Sequence, residues 1–519
     1  MNTRRTPIAI TLVAGLALAA CSSGESVITS GNDPEPTAAP ADEPAVTEPV
    51  EEPADATVPD VTITDDTAAD EPEPTTPPTT APSPLADLPD CPTDALDTAD
   101  GVIEITYWHG MTAENEPALQ AITDAYNASQ DLVLVDLQGQ GSYLDTIDEY
   151  YQSSDDSRPN IVMFPEYAMQ QAIDSDTVVP AAACIESAGF DTSPLQPAVL
   201  EAYSTAEVLW GLPFNVSVPV LYSRLDLIAD VGIEAPPMTL DELREQSTTL
   251  SGELGVYGVA IDSDIDSGGG WFIEEWFAAA GELFADNDNG RTARSTEVFF
   301  DGEFGVELLT YWQDMEADEL AFYVGDNASG LDHFLKLADP ERPAARTIGT
   351  SAALGSVIAA LGGGLVEGLG PDDVGISPMP SPSDQTGVIV GGAANYIVSG
   401  KGDAETAAAW DFLAYLVSPE VQSEWSVETG YLPLRDDALE VDPAMTRFED
   451  DPRYRVAYDS LVASADTAAA GPLLGPHRQV RTELANAVAA IMTGAEVQPA
   501  LESAATLADA YLADYNLNN

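Results

Sequence analysis

The sequence predicts an α/β protein of two lobes, set behind an unfolded N-terminal stalk. Strand-like and helix-like runs alternate from about residue 101 onward, and the order β-α-β-α-β builds a mainly parallel sheet covered by helices. The roughly 420 residues that follow this point exceed what one hydrophobic core supports, so they divide between two. Ahead of them, residues 22 to about 95 are rich in Pro, Thr, Ala, Asp and Glu and contain no Lys or Arg. Such a composition cannot bury enough apolar surface to fold.

The chain opens with Arg4 and Arg5, an apolar run from Ile8 to Leu18, and small residues ending at Ala20, the arrangement of a secretory signal. Leu18-Ala19-Ala20-Cys21, followed by Ser22, Ser23 and Gly24, looks like the lipobox at which bacterial lipoproteins are cleaved and acylated. Cys21 is therefore the expected lipidation site, and the lipid the expected anchor to the outer face of the cell membrane. The alternative is a secreted protein whose Cys21 merely lies near the cleavage site. No later run approaches the ~20 apolar residues of a membrane span. With Cys21 set aside, Cys91 and Cys184 remain; outside the cytoplasm they either form one disulfide or stay as two thiols. Prolines and self-repelling charges keep the stalk extended.

In the globular part, Val102 to Trp108 alternates as a strand, Glu116 to Asn127 has helical spacing, Leu132 to Leu137 is a strand, and Asn160 to Phe164 is a short buried one. The alternation resumes after Leu221, and Ala404 to Thr429 is helical, with Trp410, Phe412, Leu413, Leu416 and Trp425 in apolar stripes. A net charge of −72, from 89 acidic against 17 basic residues, excludes a general nucleic-acid binder because phosphate backbones are repelled. With so few cations, any arginine in a cleft is a marked candidate for contact with an anion. The three histidines (His109, His333, His477) lie far apart and no cysteines are closely spaced, so neither a metal site nor a cofactor is expected. The absence of a G-x-S-x-G or H-E-x-x-H stretch argues against a hydrolase.

Several stretches together resemble the family 1 extracellular solute-binding proteins of ABC importers. They are Tyr107-Trp108-His109-Gly110-Met111, Leu212-Pro213-Phe214-Asn215 with Pro219-Val220-Leu221-Tyr222 behind it, Pro236-Pro237-Met238-Thr239-Leu240-Asp241-Glu242-Leu243, Gly391-Gly392-Ala393-Ala394, Ser418-Pro419-Glu420-Val421-Gln422, and Thr429-Gly430-Tyr431-Leu432-Pro433. Within that family the resemblance is nearest to the components that bind sn-glycerol 3-phosphate and glycerophosphodiesters. It rests on Trp108 to Met111, Gly141-Ser142-Tyr143, Pro165-Glu166 and Gly475-Pro476-His477-Arg478-Gln479-Val480-Arg481. The resemblance implies a two-lobed type II periplasmic-binding-protein-like fold, a small-molecule solute, a permease partner and a monomer. It implies crossovers near Pro213 to Ser217, Val388 to Ala394 and residues 440 to 445. The expected division is a signal at 1–20, a disordered linker at 21–98, one lobe at 99–213 and 394–440, and the other at 214–393 and 441–519.

Carried over position by position, the resemblance puts Tyr143, Glu166, Ser217, Trp271, Ser351, Gly392, Tyr431 and Arg481 at the ligand. Val216 and Ala394 stand where that subgroup carries serines, which bears on ligand identity more than on fold. A phosphate is held by a guanidinium fork or by N–H groups at turns, so Arg481 is the expected anion contact, with Arg478 the competing candidate and a surface ion pair the plainer role. Glu166 ends a strand, where a carboxylate meets ligand hydroxyls. Trp271 and Tyr431 offer flat faces to carbon or to a cation; Trp108 and His109 are equally suited to the core, and Trp276, Trp312, Trp410 and Trp425 sit at core spacing. The neutral sugars bound elsewhere in the family are the alternative ligand.

Overall fold

The computed structural model describes residues 88–113, 115–327, 329–366, 368–383, 388–464 and 470–519. The signal segment, Cys21 and the stalk up to residue 87 lie outside the described residues.

Strand β1 (Ile103–His109) alternates buried and partly exposed side chains before becoming wholly buried, and the helix Asn115–Ser129 follows it, burying Leu119, Ile122 and Tyr126 on one face. β2 (Val133–Gly139) lies parallel to β1. The next helix, Tyr143–Gln152, begins where the Ser142 hydroxyl accepts from the Asp145 N–H, satisfying a first-turn donor. It leads to β3 (Ile161–Pro165), buried at every position and parallel to β1. The same sheet takes in β4 (Val178–Val179) and β5 (Leu212–Ser217).

The second sheet comprises β6 (Pro219–Arg224), β7 (Val259–Ile261), β8 (Ala321–Tyr323), β9 (Arg346–Thr350) and β10 (Val374–Pro378), in the order β8-β7-β9-β6-β10. The chain then returns to the first sheet as β11 (Gly391–Val398), giving it the order β2-β1-β3-β11-β4 with β5 also paired to β11. This sheet is mixed, not mainly parallel as the alternation predicts: β11 runs antiparallel to β3, β4 and β5. The reason is topological. β1, β2 and β3 are joined through helices and so run the same way, whereas β11 enters from the other lobe with no helix to turn it.

Only Val218 separates β5 in the first sheet from β6 in the second, and all the residues of both strands are buried. A second passage runs from β10 through residues 379–390 to β11. The third lies between Ala444, whose N–H reaches Ser423 Oγ (2.9 Å) in the first lobe, and Arg453, whose Nη1 reaches the Val374 carbonyl (2.9 Å) in the second.

The expected helix at Ala404 to Thr429 is two, Asp403–Leu416 and Pro419–Thr429. Pro419 has no N–H to continue the first, and it drives Ser418 out of helical geometry. In the second lobe, Trp276 and Trp312 share a core with Leu484 of the helix His477–Met492 and Leu501 of the helix Val497–Asn518. Residues 91–98 do not belong to an unfolded linker. Cys91 is buried and disulfide-bonded to Cys184, 93 residues on, and Thr93–Thr98 forms a turn of 3-10 helix.

Candidate functional site

The lobes face each other across a cavity of about 260 Å³. Strand ends build its floor: Pro165 and Glu166 close β3, Ser217 closes β5, and Gly391 and Gly392 open β11. Gly392 stands at φ +113°, and a Cβ there would lie 1.9 Å from the Asn215 carbonyl oxygen, so only glycine fits. Trp271, the first residue of the helix Trp271–Ala280, is fixed against the second crossover by an Nε1–H bond to the Ile389 carbonyl (3.3 Å). On the first lobe, Tyr143 accepts from Asn215 Nδ2 (2.5 Å), and its hydroxyl stands 3.5 Å from that of Tyr431. Tyr431 is held by stacking on Trp425, itself stacked on Phe214, so a buried aromatic column orients a cleft side chain.

Tyr143, Glu166, Ser217, Trp271, Gly392, Tyr431 and Arg481 all line this cavity; Ser351 does not. Its hydroxyl accepts from the Val218 N–H (3.1 Å) and its own N–H donates to the Val218 carbonyl (2.9 Å), a reciprocal pair that fastens the first crossover. Its neighbours Thr350 and Ala352 face the cavity instead.

Arg481 differs most from expectation. It is 1 % exposed and already compensated: Nε and Nη2 donate to the two Glu274 oxygens (2.8 and 2.7 Å), Nη1 and Nη2 reach Glu166 Oε1 (3.2 Å each), and Asp266 Oδ1 lies 3.6 Å from Nη1. His477 Nε2 closes the cluster at 2.8 Å from Glu274 Oε1. Burial alone would raise the Glu274 pKa, but Arg481 and then His477 hold it well below the usual carboxylate range. Burial dominates at Glu166, lifting its carboxyl to about 7 although Arg481 pulls the other way. Burial likewise raises Asp264 and Asp266 and lowers the His477 imidazole. The deep end of the cleft is thus a set of carboxyl groups around one neutralised guanidinium. It can accept hydrogen bonds from hydroxyls, and where protonated donate them.

Arg478 is surface-bound, 3.3 Å from Asp148, and Trp108 is a core residue bonded to Gln138 Oε1 (2.8 Å); neither lines the cavity. His109 is buried, accepts the Met111 N–H on Nδ1 (3.1 Å) and is lowered to about 4 by burial, which makes it structural. Asp264, Asp266, Asn327, His333, Arg447 and Tyr454 line the cavity without having been singled out in the sequence. For the aspartates no signal existed, since two more acids among 89 mean nothing. For Arg447 there was one: it is a cation in a chain with 17. Among the described residues no group of His, Cys, Asp and Glu is arranged to hold a metal, and no helix is long and apolar enough to cross a membrane.

Residues 121–455 match the family described as bacterial extracellular solute-binding protein. A curated relative, the sn-glycerol-3-phosphate-binding periplasmic protein UgpB of Yersinia pseudotuberculosis, is 26 % identical over 433 residues, covering 80 % of this chain and 94 % of its own. UgpB from Mycobacterium tuberculosis, solved with glycerophosphocholine, superposes with a TM-score of 0.64 at 17 % identity, covering 80 % of this chain and 100 % of that one. The cyclic alpha-maltosyl-1,6-maltose binding protein from Arthrobacter globiformis superposes at 0.62 with 24 % identity, covering 79 % and 99 %. Both solved structures share the two-lobed fold. The chain belongs to the bacterial extracellular solute-binding proteins, the solute-capturing components of ABC importers.

Proposed function

We propose that the chain captures a glycerophosphodiester or sn-glycerol 3-phosphate in the interlobe cleft and delivers it to a membrane permease, taking no catalytic part. The observation that carries the ester class is the likeness to the sn-glycerol-3-phosphate-binding relative named above, and the enclosure of Arg481 by Glu274, Glu166 and Asp266 sets how such a solute is oriented. The deep end is then a seat for glycerol hydroxyls, and phosphate belongs further along, at the hydroxyls of Tyr143, Ser217 and Tyr431 and the backbone N–H of Gly392. The diester is favoured over the monoester, because a phosphate monoester near neutral pH carries about −1.5 to −2 charges and acidic walls oppose each of them. The relatives named above support the ester class.

A neutral sugar is the second reading, favoured by the same enclosure, which leaves the guanidinium no open face. Isothermal titration calorimetry with glycerophosphocholine, sn-glycerol 3-phosphate and maltose separates the two. The expected order is glycerophosphocholine tighter than the monoester, with no heat from maltose; maltose binding without either ester sinks the reading. The monomeric state, the division into two lobes and the lipid on Cys21 belong to the same proposal. Mass spectrometry of detergent-extracted protein is expected to find an acylated cysteine at the mature N-terminus, and an unmodified soluble chain excludes the anchor.

A further inference from the structure

Eleven of the described Lys and Arg side chains lie within ion-pair distance of a carboxylate. Four do not, and they differ in what holds them. Arg291 donates to backbone carbonyls of Gly471 and Ser204, Lys401 to the carbonyl of Arg158, and the fully buried Arg346 to Gln246. The fourth, Arg447, is the one that lines the cleft. It is half-buried in the last turn of the helix Ala444–Asp450, its Nη1 donates to the Tyr454 hydroxyl (3.0 Å), and its guanidinium lies over the Tyr454 ring at 5.1 Å. Asp451, the nearest carboxylate in sequence, is taken by both sides of the Arg453 fork (2.8 and 2.6 Å).

The two arginines line the cavity among different neighbours. Arg481 packs under Gly270, and Trp271 beside it crosses Gly391, where a Cβ would meet the Trp271 ring at 2.5 Å. Further along, Gly430 abuts the Ala352 carbonyl, and a Cβ on Gly355 would meet the Tyr454 hydroxyl at 3.3 Å, next to Arg447. Around Arg481 carboxyl groups gather and its cation is spent on them, whereas the Arg447 guanidinium donates to the Tyr454 hydroxyl and to no carboxylate. Glu428 also lines the cavity, with no ion pair to Arg447 among the described residues. A half-desolvated guanidinium with N–H donors left over binds an anion more strongly than a fully exposed one.

We propose that Arg447, steadied by Tyr454, takes the solute's anionic group, so that a bound ester lies lengthwise with its hydroxyls at Glu166 and Arg481 and its phosphate drawn toward Arg447. This rests on the phosphate-ester reading given above and moves the charge contact from Arg481 to a residue outside the motifs that carry the family resemblance. It is a specificity determinant, separating charged from uncharged polyols.

The test is calorimetry on the full chain and on Arg447→Gln and Arg447→Lys, with glycerophosphocholine, sn-glycerol 3-phosphate and glycerol as probes, after checking that the ligand-free melting point of each variant stays near that of the parent. Arg447→Gln is expected to weaken both esters about ten- to a hundredfold while leaving any glycerol heat unchanged. Arg447→Lys is expected to keep part of the affinity, and raising NaCl to weaken ester binding in the parent more than in Arg447→Gln. Esters that bind parent and Arg447→Gln equally overturn this inference and leave the phosphate-ester reading standing. A parent that binds no ester overturns both.

Discussion

Replacing Arg481 by alanine separates the structure from the sequence most sharply. Read as a cleft-facing fork, Arg481 is expendable for folding; buried against Glu274, it is not. Glu274 is 1 % exposed and keeps only the His477 contact once the guanidinium is gone. Removing one partner of a buried ion pair costs about 3–5 kcal/mol, because the remaining charge is left uncompensated, and that range is expected for Arg481→Ala at pH 7.5. The pH dependence fixes the cause. The Glu274 pKa is depressed in the folded chain, so its contribution is present above the unfolded carboxyl value of about 4.3 and lost as pH falls toward the folded value. The gap between parent and variant therefore narrows below about pH 4. Urea denaturation followed by circular dichroism at pH 7.5, 5 and 3.5 measures it. A loss under about 1 kcal/mol at pH 7.5, or a gap independent of pH, refutes the reasoning. Arg481→Met combined with Glu274→Leu, which removes both charges while keeping volume, is expected to recover most of the loss.

Glu275, buried without a counter-charge and accepting the Ile389 N–H, is pushed by burial from 4.5 to about 8. A raised acid contributes stability below its unfolded value that is lost as pH rises through the folded one, so the parent is expected to weaken by up to ~5 kcal/mol between pH 4.5 and 8 and Glu275→Gln to flatten that slope in thermal melts. Glu166, lifted to about 7, is expected to make the affinity for the proposed ester fall as pH rises through neutrality, since its ionised form repels phosphate; Glu166→Gln should abolish this trend in calorimetry from pH 6 to 8. Gly392→Ala forces a Cβ to within 1.9 Å of the Asn215 carbonyl and is expected to lower the melting point by several degrees and to weaken solute binding. Cys91→Ser with Cys184→Ser releases a 93-residue loop, a loss of about 4–5 kcal/mol in the chain-entropy view, read as a lower urea midpoint.

The three strands of the first lobe up to Pro165 and the helix Asn115–Ser129 between the first two were legible because their periods are local. β11 was legible as a strand but not in its direction, which depends on β3 and β5, each more than 170 residues away. The same distance hid the site's electrostatics: the residue that claims Arg481 is Glu274, 207 positions earlier, and nothing near either one in sequence announces the pair. Motif transfer brought seven of eight residues to one cavity, yet Ser351 points into the crossover, because its rotamer is set by Val218 and not by its own segment. Arg447 went unnoticed since it lies in no motif, although scarcity of cations made every arginine worth following.

The bond between Cys91 and Cys184 ties the leading end of the described chain to the helix Ala181–Ala188 of the first lobe. Tension arriving through the N-terminal segment is therefore carried by a covalent link into that helix, and the hydrogen bonds of β1 are shielded from being peeled away.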